Sequence, residues 1–165
     1  MAAPLDQCFS EFLGLVGRLN YTWSNTESLL IHLIAGLSRC DTETALVIFL
    51  TLNTTRARVE LVKRLVKLER ADPELRRRLL GAMRDMMRQS SLRNRYNHCI
   101  YSFDTHSGTT RTILMRIADR KDELKIGQMS DIDADAINQI EKAITKLDEV
   151  NRTIWQIVRD YGFPT

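Results

Sequence analysis

Eight apolar residues, Ile137, Ile140, Ile144, Leu147, Val150, Ile154, Ile157 and Tyr161, recur every three or four positions. Only an α-helix, with 3.6 residues per turn, places such a series on one face. Acids gather at its start, near Asp131 or Asp133, where the helix dipole favours them, and Gly162 and Pro164 supply a stop. A stripe this long and regular has to be covered, by another helix of the same bundle or by a partner chain. The expected fold class is therefore mainly α, a helical bundle.

Other segments fit the same reading. Leu5 to Leu19 shows helical spacing, and a second helical stretch runs from about Trp23 to Leu37. The Asn20–Thr26 link is either a break or a polar collar in one helix over about 5–37. Glu43–Leu52 is short and apolar, and its β-branched content suits helix or strand. Arg56–Arg70 is amphipathic, with Val59, Val62, Leu65, Val66 and Leu68 among basic residues, and the whole is read as a helical region over about 43–70. Asp72-Pro73 is a helix start, Asp at the N-cap and Pro at the first helical position, opening a helix over about 73–101. Its stripe Leu75, Leu79, Met83, Met86 is about 240° out of phase with Leu92, Tyr96, Cys99, Phe103. Either the helix breaks near Gln89-Ser90-Ser91 or it packs on two faces.

Ser102–Thr110 reads as a loop. Ile113, Met115 and Ile117 then alternate at period two, Arg120-Lys-Asp suits a turn, and Leu124 and Ile126 alternate after it. This predicts a β-hairpin over about 111–129, inserted before a last helix over about 132–161. One domain spanning 1–165 is expected at this length.

With 7 Gly and 3 Pro, the chain is neither collagenous nor low-complexity. No apolar run approaches the ~18 residues of a membrane span, and Met1–Gln7 lacks the features of a secretory signal. The odd set Cys8, Cys40 and Cys99 has no Cys-x-x-Cys spacing, which suits reduced thiols in a cytoplasmic protein. The sequons at Asn20, Asn53 and Asn151 are then chance matches. No cofactor or metal is expected.

The formal net charge of +3 conceals an imbalance. Residues 56–95 hold thirteen basic residues, eleven of them arginine, against five acids, a surplus of eight. The rest of the chain carries a deficit of five. Arginine grips phosphate through a planar fork, so the segment suits a polyanion-facing surface. A solvated helical face is the plain alternative.

That segment ends on Arg93-Asn94-Arg95-Tyr96-Asn97-His98. Of the other histidines, His32 sits in an apolar run and suits a packed role, while His106 lies in the polar loop. On a helix, Asn94, His98 and Tyr101 would share one face. An imidazole there is a suitable general acid or base, Asn94 can orient it, and Arg93 can hold a phosphate. Arg93 and His98 are about 140° apart around a helix, so one chain does not converge both on a small ligand, whereas two copies about a two-fold axis can. The alternative is a hydrogen-bonded network that merely ties helices together.

Arg93, Asn94 and His98 match the Arg-polar-x-x-x-His signature, and the stretch resembles that of the HEPN (higher eukaryotes and prokaryotes nucleotide-binding) family. The resemblance implies a helical bundle, working as a homodimer with the motifs facing each other. It also implies a metal-independent endoribonuclease, often a toxin or defence effector, in which the ribose 2′-hydroxyl attacks the adjacent phosphate. His98 would move protons, Arg93 hold phosphate, and Asn94 orient His98 or touch RNA. Arg95, Arg88, Arg84 and Tyr101 would line the RNA path. An antitoxin or nucleotidyltransferase is the implied partner, and no membrane is. Ile100 stands where some members carry a modified tyrosine, with Tyr101 one place later, so that modification is not carried over. Some members are non-catalytic, which leaves a nucleic-acid-binding or helical interaction module as the alternative.

Overall fold

The structure is a computed structural model that describes residues 7–68, 72–104, 109–120 and 123–165. Described elements are α1 (Gln7–Ser28), α2 (Leu30–Ser38), α3 (Thr42–Thr51), α4 (Thr55–Leu65), α5 (Pro73–Asn97), β1 (Cys99–Asp104), β2 (Thr109–Arg120), β3 (Glu123–Asp131) and α6 (Ala134–Asp160). The chain is mainly helical with one small antiparallel sheet. It packs as two compact units, one from 1–21 and 90–144, the other from 22–89 and 145–165.

The second unit is all helical. Its core includes Trp23, Leu30, Leu33, Ile34, Leu79, Met83, Met86, Leu147 and Ile154, each essentially inaccessible. Helix α1 runs through Asn20–Thr26, so that link is a polar collar, and the interruption falls at Leu29 instead. Thr26 explains the place: its hydroxyl donates to the Thr22 carbonyl (2.8 Å), and Leu29 N–H bonds back to Thr26 O (3.3 Å). Threonine back-bonding of this kind bends helices.

The expected helical region 43–70 is two helices. Thr54 ends the first run by taking the N-cap of α4, where its hydroxyl accepts from Ala57 N–H (3.1 Å). Residues 69 and 70 lie outside the described residues. Asp72 caps α5 as expected, accepting from Glu74 and Leu75 N–H (2.8 and 2.9 Å). Helix α5 continues unbroken through Gln89-Ser90-Ser91, so the two-face alternative holds: Met83 and Met86 are buried in one unit and Tyr96 in the other.

Two arginines of the basic segment, Arg58 and Arg78, are spent on this packing, whereas Arg77 makes only an exposed pair within its own helix. Glu27 is buried, accepts from Trp23 Nε1 (3.2 Å) and Thr55 Oγ1 (2.7 Å), and pairs with Arg58 (2.8 Å). The Arg58 guanidinium also covers the Phe49 ring at 3.9 Å. Arg78 pairs with Asp160 (2.7 Å) and Arg77 with Glu74 (2.7 Å). His32 is packed, its Nδ1 2.9 Å from Pro164 O and its ring 5.3 Å from Trp155.

In the first unit the sheet has the order β1-β2-β3. The expected hairpin is thus a three-stranded sheet, because Cys99–Asp104 is a strand where a helix through residue 101 and then a loop were expected. Cys99, Tyr101 and Phe103 are half-buried and alternate with exposed Ile100, Ser102 and Asp104. The same residues satisfy both periods: 96, 99 and 103 at helical spacing, 99, 101 and 103 at strand spacing. Packing chose the strand. Phe12 meets Tyr96 and Tyr101 edge-on at 5.7 and 5.9 Å, and Phe9 stacks on Phe103 at 5.8 Å. Residues 105–108, including His106, and the turn residues 121 and 122 lie outside the described residues.

Strand β2 pairs Leu114 with Gln128 and Ile117 with Ile126, so it carries one extra residue. This bulge interrupts the strict alternation expected of Ile113, Met115 and Ile117. Gly127 faces the irregularity at φ 63°, a backbone that favours glycine. Asp133, not Asp131, caps α6, accepting from Ala136 N–H (2.8 Å), while Asp131 ends β3. Ile140, Ile144, Leu147, Val150, Ile154 and Ile157 are all buried within the chain itself, so the long stripe is not left open to a partner.

Candidate functional site

Helix α5 ends one residue before His98. The His98 N–H still makes the last helical bonds, to Asn94 O (3.2 Å) and Arg95 O (3.4 Å). Its carbonyl already belongs to the sheet, accepting from Met115 N–H at 2.9 Å. His98 is therefore the hinge residue between helix and strand, and its side chain is exposed.

A cleft of about 800 Å³ opens beside it. One wall is the end of α5: Ser90, Ser91, Asn94, Arg95 and His98. The other is sheet: Thr112, Leu114 and Met115 of β2, with Gln128 and Ser130 of β3. Arg95 spans the walls, its Nη2 donating to Ser130 Oγ at 2.9 Å. Asn94, Arg95 and His98 are thus brought together, on one polar cleft of the size ligands occupy.

The remaining expected site residues lie elsewhere. Arg93 is half-buried and donates to Asn94 Oδ1 (3.2 Å). In the amide orientation that satisfies both sides, Asn97 accepts from the Arg93 guanidinium (2.9 and 3.0 Å) and donates to Asn20 Oδ1 (2.6 Å). Arg93 is not among the residues that line the cleft with His98. Tyr101 does not share the face of Asn94 and His98, because it stands on β1. Its hydroxyl donates to Tyr96 O, its ring lies against Phe12, and burial pushes its phenol up to about 12. It is a packing residue. Arg84 and Arg88, in the other unit, both approach Asp85 (4.0 and 3.5 Å).

Burial, ahead of the opposing Arg95 charge, pushes the Cys99 thiol up, and its Sγ donates to Arg95 O (2.9 Å). Cys40 and Cys99 are free thiols. Among the described residues no three His, Cys, Asp or Glu side chains gather as a metal site would need. No described helix is long and apolar enough to cross a membrane.

Sequence reasoning missed the sheet wall. Thr112, Leu114, Met115, Gln128 and Ser130 belong to strands distant in the chain from the motif, and no spacing rule links them to His98. No family model matches the chain, and neither a curated protein nor a solved structure matches it.

Proposed function

We propose that the chain is a HEPN-like, metal-independent endoribonuclease acting as a homodimer. The observation that carries this reading is the exposed His98 imidazole on a polar cleft shared with Asn94 and Arg95. Arg95 brings a cation that suits a phosphate, and the Ser90, Ser91 and Ser130 hydroxyls suit the polar sugar-phosphate chain.

In this scheme an imidazole takes the proton of a ribose 2′-hydroxyl. The 2′-oxygen bonds to the adjacent phosphorus, and the bond from phosphorus to the 5′-oxygen breaks. The leaving oxygen takes a proton from a protonated imidazole, which a two-fold copy of the same helix end would supply. The products are a cyclic phosphate and a 5′-hydroxyl. The cytoplasm, and an antitoxin or similar partner, belong to this proposal.

The test is incubation with RNA in excess chelator. Wild type should leave cyclic phosphate ends, and His98→Ala should slow cleavage by roughly 10²- to 10⁴-fold. Absence of cleavage by wild type, or equal cleavage by His98→Ala, rejects the reading. Light scattering should show twice the 19.1 kDa chain mass.

One observation favours a second reading. Arg93 is engaged by Asn94 and Asn97 and is not among the cleft residues. A non-catalytic RNA-binding module needs no more than that, and predicts salt-dependent binding without product.

A further inference from the structure

The two walls of the cleft differ in chemistry. The helix wall is polar throughout, whereas the sheet wall sets Leu114 and Met115 among Thr112, Gln128 and Ser130. Neighbours in a regular strand face opposite sides. Here both line the cleft, next to the register shift that begins after Leu114. The main-chain bond from Met115 to His98 holds the bulged segment against the helix end. Met115 is 63% exposed, so an unbranched thioether is displayed beside an imidazole and a guanidinium. Such a surface does nothing for a phosphate. It does suit a flat, apolar, π-faced group. Gln128, the cross-strand partner of Leu114, is exposed on the same wall, and its amide offers a donor and an acceptor side by side.

We infer that the sheet wall seats one unpaired nucleobase. Leu114 and Met115 pack against its face, Gln128 reads its edge, and Arg95 and His98 address the attached sugar and phosphate. This rests on the reading that the cleft takes RNA. It adds the substrate class: single-stranded RNA, because a duplex keeps its base faces stacked inside. It also gives the sheet a purpose distinct from that of the helix end.

The experiment measures binding rather than cleavage. Short fluorescent 2′-fluoro oligonucleotides lack the attacking hydroxyl, so anisotropy of the full chain reports affinity alone. Single strands of adenine, cytosine or uracil are compared with a mixed-sequence duplex. Wild type should prefer single strands by about tenfold or more. Met115→Ala should weaken single-strand binding about five- to tenfold and leave duplex binding unchanged, while Met115→Leu, which keeps the apolar surface, stays within about twofold of wild type. Gln128→Ala should flatten the differences among the three single strands. Equal affinity for duplex and single strand, or Met115→Ala binding like wild type, overturns the base seat and leaves RNA binding standing. Wild type that binds none of the oligonucleotides rejects the RNA reading itself, and the base seat with it.

Discussion

The Met115 amide donates to the His98 carbonyl at 2.9 Å. Through this one bond the last residue of a helical motif becomes the first rung of a sheet. It places the candidate imidazole between two kinds of structure, with helix-borne polar groups on one side and strand-borne groups, Leu114 and Met115 among them, on the other.

The junction depends on Phe12. This buried ring touches both Tyr96, in the last turns of α5, and Tyr101, in β1. Phe12→Ala should cost about 3–5 kcal/mol in urea unfolding, as removal of a buried aromatic ring usually does. Opening the cluster to water should also lower the Tyr101 pKa from about 12 toward the ordinary 10.0, read by ultraviolet alkaline titration. An unchanged tyrosine titration would show that Phe12 does not shield that phenol.

Arg95 is the cation of the cleft. If it meets a phosphate, Arg95→Ala weakens binding across all RNA sequences alike and reduces the slope of log K against log salt by about 1. Ser130→Ala, which removes only its hydroxyl partner, should leave that slope unchanged. A sequence-dependent loss at Arg95 would assign it to base reading instead.

Gly36 lets the end of the chain close onto α2. A methyl group there would run into the Phe163 ring. Gly36→Ala should therefore destabilise the protein by about 1–3 kcal/mol, as overpacking does. The displaced segment would also surrender the bond between His32 and Pro164. Combining the change with Phe163→Ala should recover part of the loss, since the clash is then gone. Strict additivity in denaturant unfolding would place the effect elsewhere.

Acid should loosen the helix ends held by Asp72 and Asp160. The Leu75 N–H bond holds the Asp72 carboxyl below its usual range, and Arg78 does the same for Asp160. Each group binds its proton more weakly folded than unfolded. Its contribution is therefore full above the ordinary carboxylate pKa near ~4 and fades as pH falls through the lowered folded value. Thermal unfolding followed from pH 6 downward should show the decline, and Asp72→Asn should blunt it.

Elements with one strong signal were legible in the chain. The α6 stripe, the Asp72-Pro73 start and the packed His32 rest on local periodicity and capping chemistry, and each stands where its residues predict. Of the Arg93–His98 stretch, Asn94, Arg95 and His98 line one cleft, whereas Arg93, expected to hold phosphate, is not among the lining residues. The end of α5 was not legible. Residues 96–103 fit a helix and a strand about equally, and the choice rests on Phe9 and Phe12, more than eighty residues earlier.

Charge shows the same division. The surplus over 56–95 is plain from composition, but which arginines face solvent is not. Arg58 and Arg78 pair with Glu27 and Asp160, partners 31 and 82 residues away, and are spent on packing. Helices and caps follow from interactions within a few residues, so the order of amino acids decides them. The choice of strand over helix after Asn97, the covering of α6 and the second wall of the cleft depend on which distant side chains come together. Those contacts exist only once the chain has folded.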